Sequence, residues 1–167
     1  RAGFSGIGLV QEDLAYILAN EAAGSSREAK LHWMREVLDR EGLPIVELEF
    51  LTNWMFPAGD PRRDFEQPMR ALLLEAAPIL GARHIKIGNF GVPVSAADLR
   101  DRFREICDEA ARADTRIGME IFPIDPNAQT LDQALQWCGG VENGGLFLDI
   151  WHMSHAERID FADIAAL

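Results

Sequence analysis

Short apolar runs alternate with longer amphipathic stretches along the whole chain, and this alternation limits the fold more than any other feature of the sequence. Strand-like runs fall at residues 6–10 (GIGLV), 44–51 (PIVELEFL), 84–88 (HIKIG), 117–122 (IGMEIF) and 146–150 (LFLDI). They recur roughly every 30 to 40 residues, a spacing that leaves room for a helix after each strand. The helical stretches read at 30–41, 65–80, 95–113, 130–137 and 160–167. In the first, Leu31, Met34, Val37 and Leu38 share a face, and Gly42 stands where a helix-ending glycine belongs. Ser95 and Thr130 are placed as N-caps, and Gly81 closes the second helix.

A strand–helix–strand period of this kind predicts parallel strands joined by right-handed crossovers. The strands are apolar almost throughout, as strands covered on both faces are. Both a doubly wound sheet and a closed (β/α)₈ barrel have this periodicity. Two observations favour the barrel. No glycine-rich phosphate loop follows the first strand, and polar residues recur near the C-terminal ends of successive strands: Glu49, Lys86, Glu120 and Asp149. Barrel enzymes gather their chemistry at that end. A whole barrel needs about 250 residues, whereas this chain has 167. Arg1-Ala2-Gly3 reads as the tail of a preceding helix. The expectation is therefore an α/β chain holding units two to six of a TIM barrel, with residues 1–167 as one partial domain. An open five-stranded sheet is the rival. The long loop at 52–64, with Asn53, Trp54, Phe56, Pro57 and Pro61, is a candidate lid or substrate wall.

Charge narrows the partners. Acidic residues number 27 against 16 lysines and arginines, a net −11. Such a surface repels nucleic-acid backbones and anionic membranes, so the expected partner is a small molecule, with a homo-oligomer compatible. Cys107 and Cys138 sit in apolar or helical patterns and read as reduced core thiols. With no signal-like opening and no apolar run long enough to span a bilayer, the expected compartment is the cytoplasm.

Two strand ends carry the motifs that matter most: Gly118-Met119-Glu120-Ile121-Phe122-Pro123 and Leu148-Asp149-Ile150-Trp151-His152-Met153. Together with the opening Ala2-Gly3-Phe4-Ser5-Gly6-Ile7-Gly8-Leu9, their order and spacing resemble the sugar phosphate isomerase/epimerase (xylose isomerase-like) superfamily over most of the chain. In that family one strand ends in a metal-binding glutamate and the next carries Asp-x-x-His. The resemblance implies that Glu120 and Asp149 are metal ligands, that Glu120 also serves as a proton acceptor, and that His152 contacts substrate oxygen near the metal. It implies a divalent cofactor (manganese, magnesium, cobalt or zinc) and an isomerase or epimerase of a sugar-like hydroxy-carbonyl compound working through an enediolate. Dehydratases and lyases share the fold and the first proton abstraction, and a non-catalytic sugar-binding barrel is a further alternative. The related endonuclease IV group fits poorly, because the chain is acidic and has only four histidines. The family's two remaining ligands, a histidine and a glutamate from the seventh and eighth strands, match no position here.

Residue chemistry alone leaves alternatives at each position. A buried carboxylate needs a cation or hydrogen bonds, so Glu120 fits an ion pair in the core as well as a metal. Asp149 fits a cap for the segment after it, and His152 a surface loop. Lys86 suits a substrate oxygen, or an ion pair with Glu49 or Glu120. Glu49 is a candidate substrate ligand nearer the active end than Glu47, which reads as structural. His84 belongs to the opposite end of its strand, and His155 reads as peripheral. Trp54, Phe56 and Trp151 suit the C–H faces of a sugar, or plain core packing.

Overall fold

The computed structural model describes residues 3–155 and 161–165. Five strands form one parallel sheet in the order β1-β2-β3-β4-β5: β1 (Ile7–Val10), β2 (Ile45–Leu51), β3 (His84–Ile87), β4 (Arg116–Glu120) and β5 (Gly144–Phe147). Between and after them lie α1 (Gln11–Asn20), α2 (Arg27–Glu41), α3 (Pro61–Leu80), α4 (Ala96–Arg112), α5 (Leu131–Cys138), α6 (Ile150–His155) and α7 (Phe161–Ile164). The order decides between the two architectures. A doubly wound sheet reverses its strand order at a switch point; this one runs straight through. Right-handed crossovers in sequential order place every connecting helix on the same side, which gives an arc of a (β/α)₈ barrel.

The main core fills the space between that arc and its helices. Leu48, Leu51, Ile85, Ile87, Ile117 and Met119 of the sheet meet Leu73, Ala76, Leu99, Phe103 and Ile106 of α3 and α4. The concave face carries the alternate residues: Glu47, Glu49, Lys86, Gly118, Glu120 and Phe147. Its packing is close. A Cβ on Gly118 would lie 1.9 Å from the Phe147 ring, so only glycine lets that ring cross β4.

Local sequence explains where the elements begin. Asp60 accepts a hydrogen bond from the Arg62 amide, and Pro61 occupies the first turn, so α3 starts there and not at residue 65. The expected loop at 52–64 shortens accordingly. Glu66 binds what remains of it, accepting from the amides of Thr52 and Asn53 at 2.7 and 3.1 Å. Gly42 and Gly81 end their helices in the left-handed region, with φ of 64° and 73°. Helix α1 was not legible as a periodic stretch; it follows β1 directly and buries Leu14 and Leu18.

The fifth strand departs from the expected 146–150. It pairs over Gly144–Phe147, and Asp149 has already left the sheet. Its Oδ1 accepts from the amides of Trp151 and His152, which starts α6. Gly144 is required where it stands, because a Cβ there would meet Phe103 and Cys107 of α4 at 2.6 and 2.8 Å. The helix tail read into residues 1–2 lies outside the described residues, as do 160, 166 and 167 of the last expected helix.

Helices α3 and α4 are joined by ion pairs. Arg63 pairs with Glu105, and Arg70, 1% exposed, donates from Nε to Glu109 at 2.8 Å. The hydrogen bond from Arg63 holds the Glu105 carboxyl below the usual glutamate range. A depressed carboxylate stabilises the fold above its unfolded pKa, about 4.3, and that contribution is lost as the pH falls through the lower folded value. Glu105→Gln should therefore be destabilised by up to about 1 kcal/mol at pH 7, since Glu105 is partly exposed. The deficit should shrink towards pH 3. Urea unfolding of both proteins at the two pH values checks this, and a deficit equal at both would remove the carboxylate as its cause.

Candidate metal centre

Strand β4 ends at Glu120, which is 6% exposed at the concave face. The next parallel strand, β5, leads through Leu148 to Asp149, and α6 carries His152 one turn further on. One oxygen of each carboxylate and one ring nitrogen of His152 lie within 4.8 Å of one another. The His152 Nε2 is 3.7 Å from Glu120 Oε1. Its Nδ1 is buried and, among the described residues, has no hydrogen-bond partner.

Lys86 approaches Glu120 from β3. Its Nζ stands 2.9 Å from Glu49, 3.4 Å from Glu47 and 3.7 Å from Glu120. Burial pushes the ammonium pKa down, but the hydrogen bond to Glu49 and the charges of Glu120 and Glu47 outweigh it, and the net shift is upward. Lys86 is thus a fixed cation. Glu120 shifts upward as well: burial outweighs the attraction of Lys86 and His152. Asp149 moves the other way, because the His152 amide bonds to its ionised form.

The carboxylates and the histidine supply oxygen and nitrogen donors from three positions, a set that suits a divalent cation. The ring nitrogen that faces Glu120 is Nε2. Glu120 and Lys86 also form the ion pair that residue chemistry allowed. The two arrangements are compatible, because the lysine reaches Oε2 and the histidine Oε1.

The tryptophans separate. Trp151 is 62% exposed, with ring centroids 5.1 Å from His152 and 4.4 Å from His155, at the rim of the centre. Trp54 is not at the centre. It is 1% exposed, and its ring lies 6.0 Å from Phe103 and 5.7 Å from Trp137, between sheet and helices. Its Nε1 donates to the Gly88 carbonyl at 2.9 Å. The expectation of Trp54 as a substrate wall is therefore corrected: its ring packs on the helical side of the sheet. Phe56 is buried under the Arg62 guanidinium. His84 bonds to Glu47 at 3.2 Å, towards the strand's opposite end.

Three phenylalanines that the sequence reading passed over form an aromatic wall instead. Phe50, Phe90 and Phe122 stand with centroids 5.0–5.6 Å apart, and the Phe122 ring is 4.5 Å from His152. A Cβ on Gly88 would collide with Phe50 and Phe122. The available signal was a phenylalanine at or just past the end of three successive strands.

The sequence profile of the xylose isomerase-like TIM barrel family matches residues 1–167. The chain belongs to that family. Among solved structures it superposes on the 3-keto-D-glucoside 4-epimerase of E. coli in its apo form, with a TM-score of 0.69 and 19% identity, covering 93% of this chain and 62% of that one. It also superposes on the IOLI protein with a bound zinc atom (TM-score 0.76, 17% identity, 93% and 56%). A third match is a xylose isomerase-like TIM barrel protein of Mycobacterium smegmatis in complex with magnesium (TM-score 0.60, 23% identity, 89% and 52%). At these identities the likeness is one of fold, and the chain spans little more than half the length of each. A search of curated proteins returns no match. Within this family fold, Glu120, Asp149 and His152 stand at the C-terminal end of the strands, where barrels collect catalytic residues. Among the described residues no helix is long and apolar enough to cross a membrane.

Proposed function

We propose that this chain contributes part of the active site of a divalent-metal-dependent isomerase or epimerase acting on a sugar-like hydroxy-carbonyl compound. The observation that carries the reading is the convergence of Glu120, Asp149 and His152, beside the fixed charge of Lys86, at the end of the arc. A bound divalent ion would supply Lewis-acid polarisation of the carbonyl and the neighbouring hydroxyl. Glu120 and Asp149 would hold it, with His152 beside it. In this reading Glu120 removes the proton from the carbon next to the carbonyl, leaving an enediolate. Lys86, already protonated, offsets the developing oxyanion charge, and His152 orients a substrate oxygen. Glu49 holds Lys86 in place and stands beside it as a hydroxyl acceptor. Phe50, Phe90, Phe122 and Trp151 offer apolar faces for the substrate's C–H surfaces. Proton return at the adjacent carbon gives isomerisation; return on the other face gives epimerisation.

Supporting this reading are the family, the donor set and the position of the centre in the barrel. The metal test comes first. Glu120→Gln and Asp149→Asn should each weaken binding of manganese or zinc by more than about tenfold, since even residues one shell further out cost 10–100-fold. Titration of the metal-free protein, checked by elemental analysis, measures this. Unchanged affinity in both variants would remove the centre from the proposal.

A further inference from the structure

The opposite end of the sheet presents different chemistry. Arg83 precedes β3, Arg116 opens β4, and α4 ends at Arg112. Among the described residues these are the arginines whose side chains make no hydrogen bond or ion pair. Every other described arginine reaches a carboxylate or a backbone carbonyl. In a molecule with 27 acidic residues against 16 basic ones, three arginines without an ion pair at one end of the sheet call for an explanation. Two of them, Arg83 and Arg116, line one cleft of about 270 Å³, together with Ala111, Asp114, Thr115 and Asn143.

The floor of this cleft is fixed. Thr115 Oγ1 donates to the Ala82 carbonyl, and Asn143 Nδ2 donates to the carbonyls of Thr115 and Cys107 at 2.7 and 3.2 Å. These groups are spent on the fold, which leaves the guanidiniums as the cleft's free donors. Guanidinium forks match phosphate oxygens two at a time. One carboxylate opposes them: Asp114 lines the same cleft and pairs with neither arginine within 4.0 Å.

We propose that this cleft binds a small phosphate-bearing molecule, with Arg83 and Arg116 as its ligands and Asp114 weakening the affinity. The site is independent of the metal centre. Arg116 and Glu120 lie at opposite ends of β4, about 13 Å apart at the usual rise per residue.

Inorganic phosphate is the probe, titrated into the protein at constant ionic strength, with binding read from ³¹P line widths and with acetate and chloride as comparison anions. Phosphate should saturate, and should bind more tightly than either comparison ion. The double variant Arg83→Gln/Arg116→Gln should bind phosphate at least about tenfold more weakly, the usual loss when charge-assisted bonds to an anion go. Asp114→Asn should bind it about threefold more tightly, because a like charge to the ligand is gone. Asn is well suited to the left-handed φ of 50° at that position, and all three arginine and aspartate positions are exposed, so the variants keep the fold. Phosphate binding that survives in the double variant would place the anion elsewhere, at Lys86 for example, and would overturn the proposal. So would phosphate binding no tighter than chloride, or an Asp114→Asn affinity no higher than that of the parent protein. The metal titration of Glu120→Gln and Asp149→Asn is a separate measurement, so failure of the phosphate site and failure of the metal centre are distinguishable.

Discussion

In heavy water the protein should introduce deuterium at the carbon next to the carbonyl of a ketose substrate, and Glu120→Gln should slow that exchange by about 10²–10⁴-fold. The substitution keeps the shape of the side chain and removes its ability to accept a proton. It also removes a ligand atom, so the measurement needs a second arm. Asp149→Asn, assayed at saturating metal, should recover most of the parent rate, because Asp149 is exposed and an asparagine oxygen there still accepts from the Trp151 and His152 amides that start α6. Glu120→Gln should stay slow under the same conditions. Exchange at the parent rate in metal-loaded Glu120→Gln would remove Glu120 as the base. Equal, metal-independent losses in both variants would make the carboxylates structural. A protein that binds sugar and metal but exchanges no deuterium in any form would be the non-catalytic barrel.

The balance of charge around Lys86 bears on the same residues. Three carboxylates, Glu47, Glu49 and Glu120, surround one ammonium on the concave face. One cation does not neutralise three anions, and Asp149 adds a fourth acidic group beside Glu120. Adjacent carboxylates repel unless a cation lies between them or one takes up a proton. A divalent ion at Glu120 and Asp149 would relieve that surplus and leave the Lys86–Glu49 contact in place. In the proposed function the ion pair and the metal site are thus parts of one charge arrangement and not competing uses of Glu120.

Much of this centre was legible because polar residues in apolar strands stand out. Glu120 follows Gly118 and Met119, and Lys86 lies between Ile85 and Ile87, so a charge in each strand identifies the face. Strand ends were harder. Asp149 follows three apolar residues and reads as a strand residue, yet its side chain bonds to two amides ahead of it and turns the chain into α6. That is a choice between sheet pairing and capping, and the apolar pattern does not settle it. The aromatic residues were least legible. Trp54, Phe50, Phe90 and Phe122 all lie near strand ends, and their sequence neighbourhoods are alike. For Phe50 the side depends on the register between β2 and β3, which shifts between Glu49 and Leu51; Trp54, Phe90 and Phe122 lie past the ends of their strands, where alternation no longer sets the side. A slip of one residue moves a side chain to the other face, and composition gives no sign of it.

Trp54→Ala should be destabilised by about 3–5 kcal/mol, the usual cost of removing a large aromatic side chain from a core. The ring is 1% exposed and packs on both Phe103 and Trp137, so little relaxation is open to its neighbours. The loss of its Nε1 also leaves the Gly88 carbonyl without that donor. Trp54→Phe separates the two contributions: it keeps a ring in the cluster and loses the hydrogen bond, and should cost about 1–3 kcal/mol for the unpaired carbonyl together with the smaller ring. Urea unfolding followed by far-ultraviolet circular dichroism measures both. Exchange kinetics give the contrasting readout. A tryptophan walling the substrate pocket would raise KM on truncation and leave stability nearly unchanged; a tryptophan between sheet and helices does the reverse. Full stability in Trp54→Ala with a raised KM would put the indole back on the concave face.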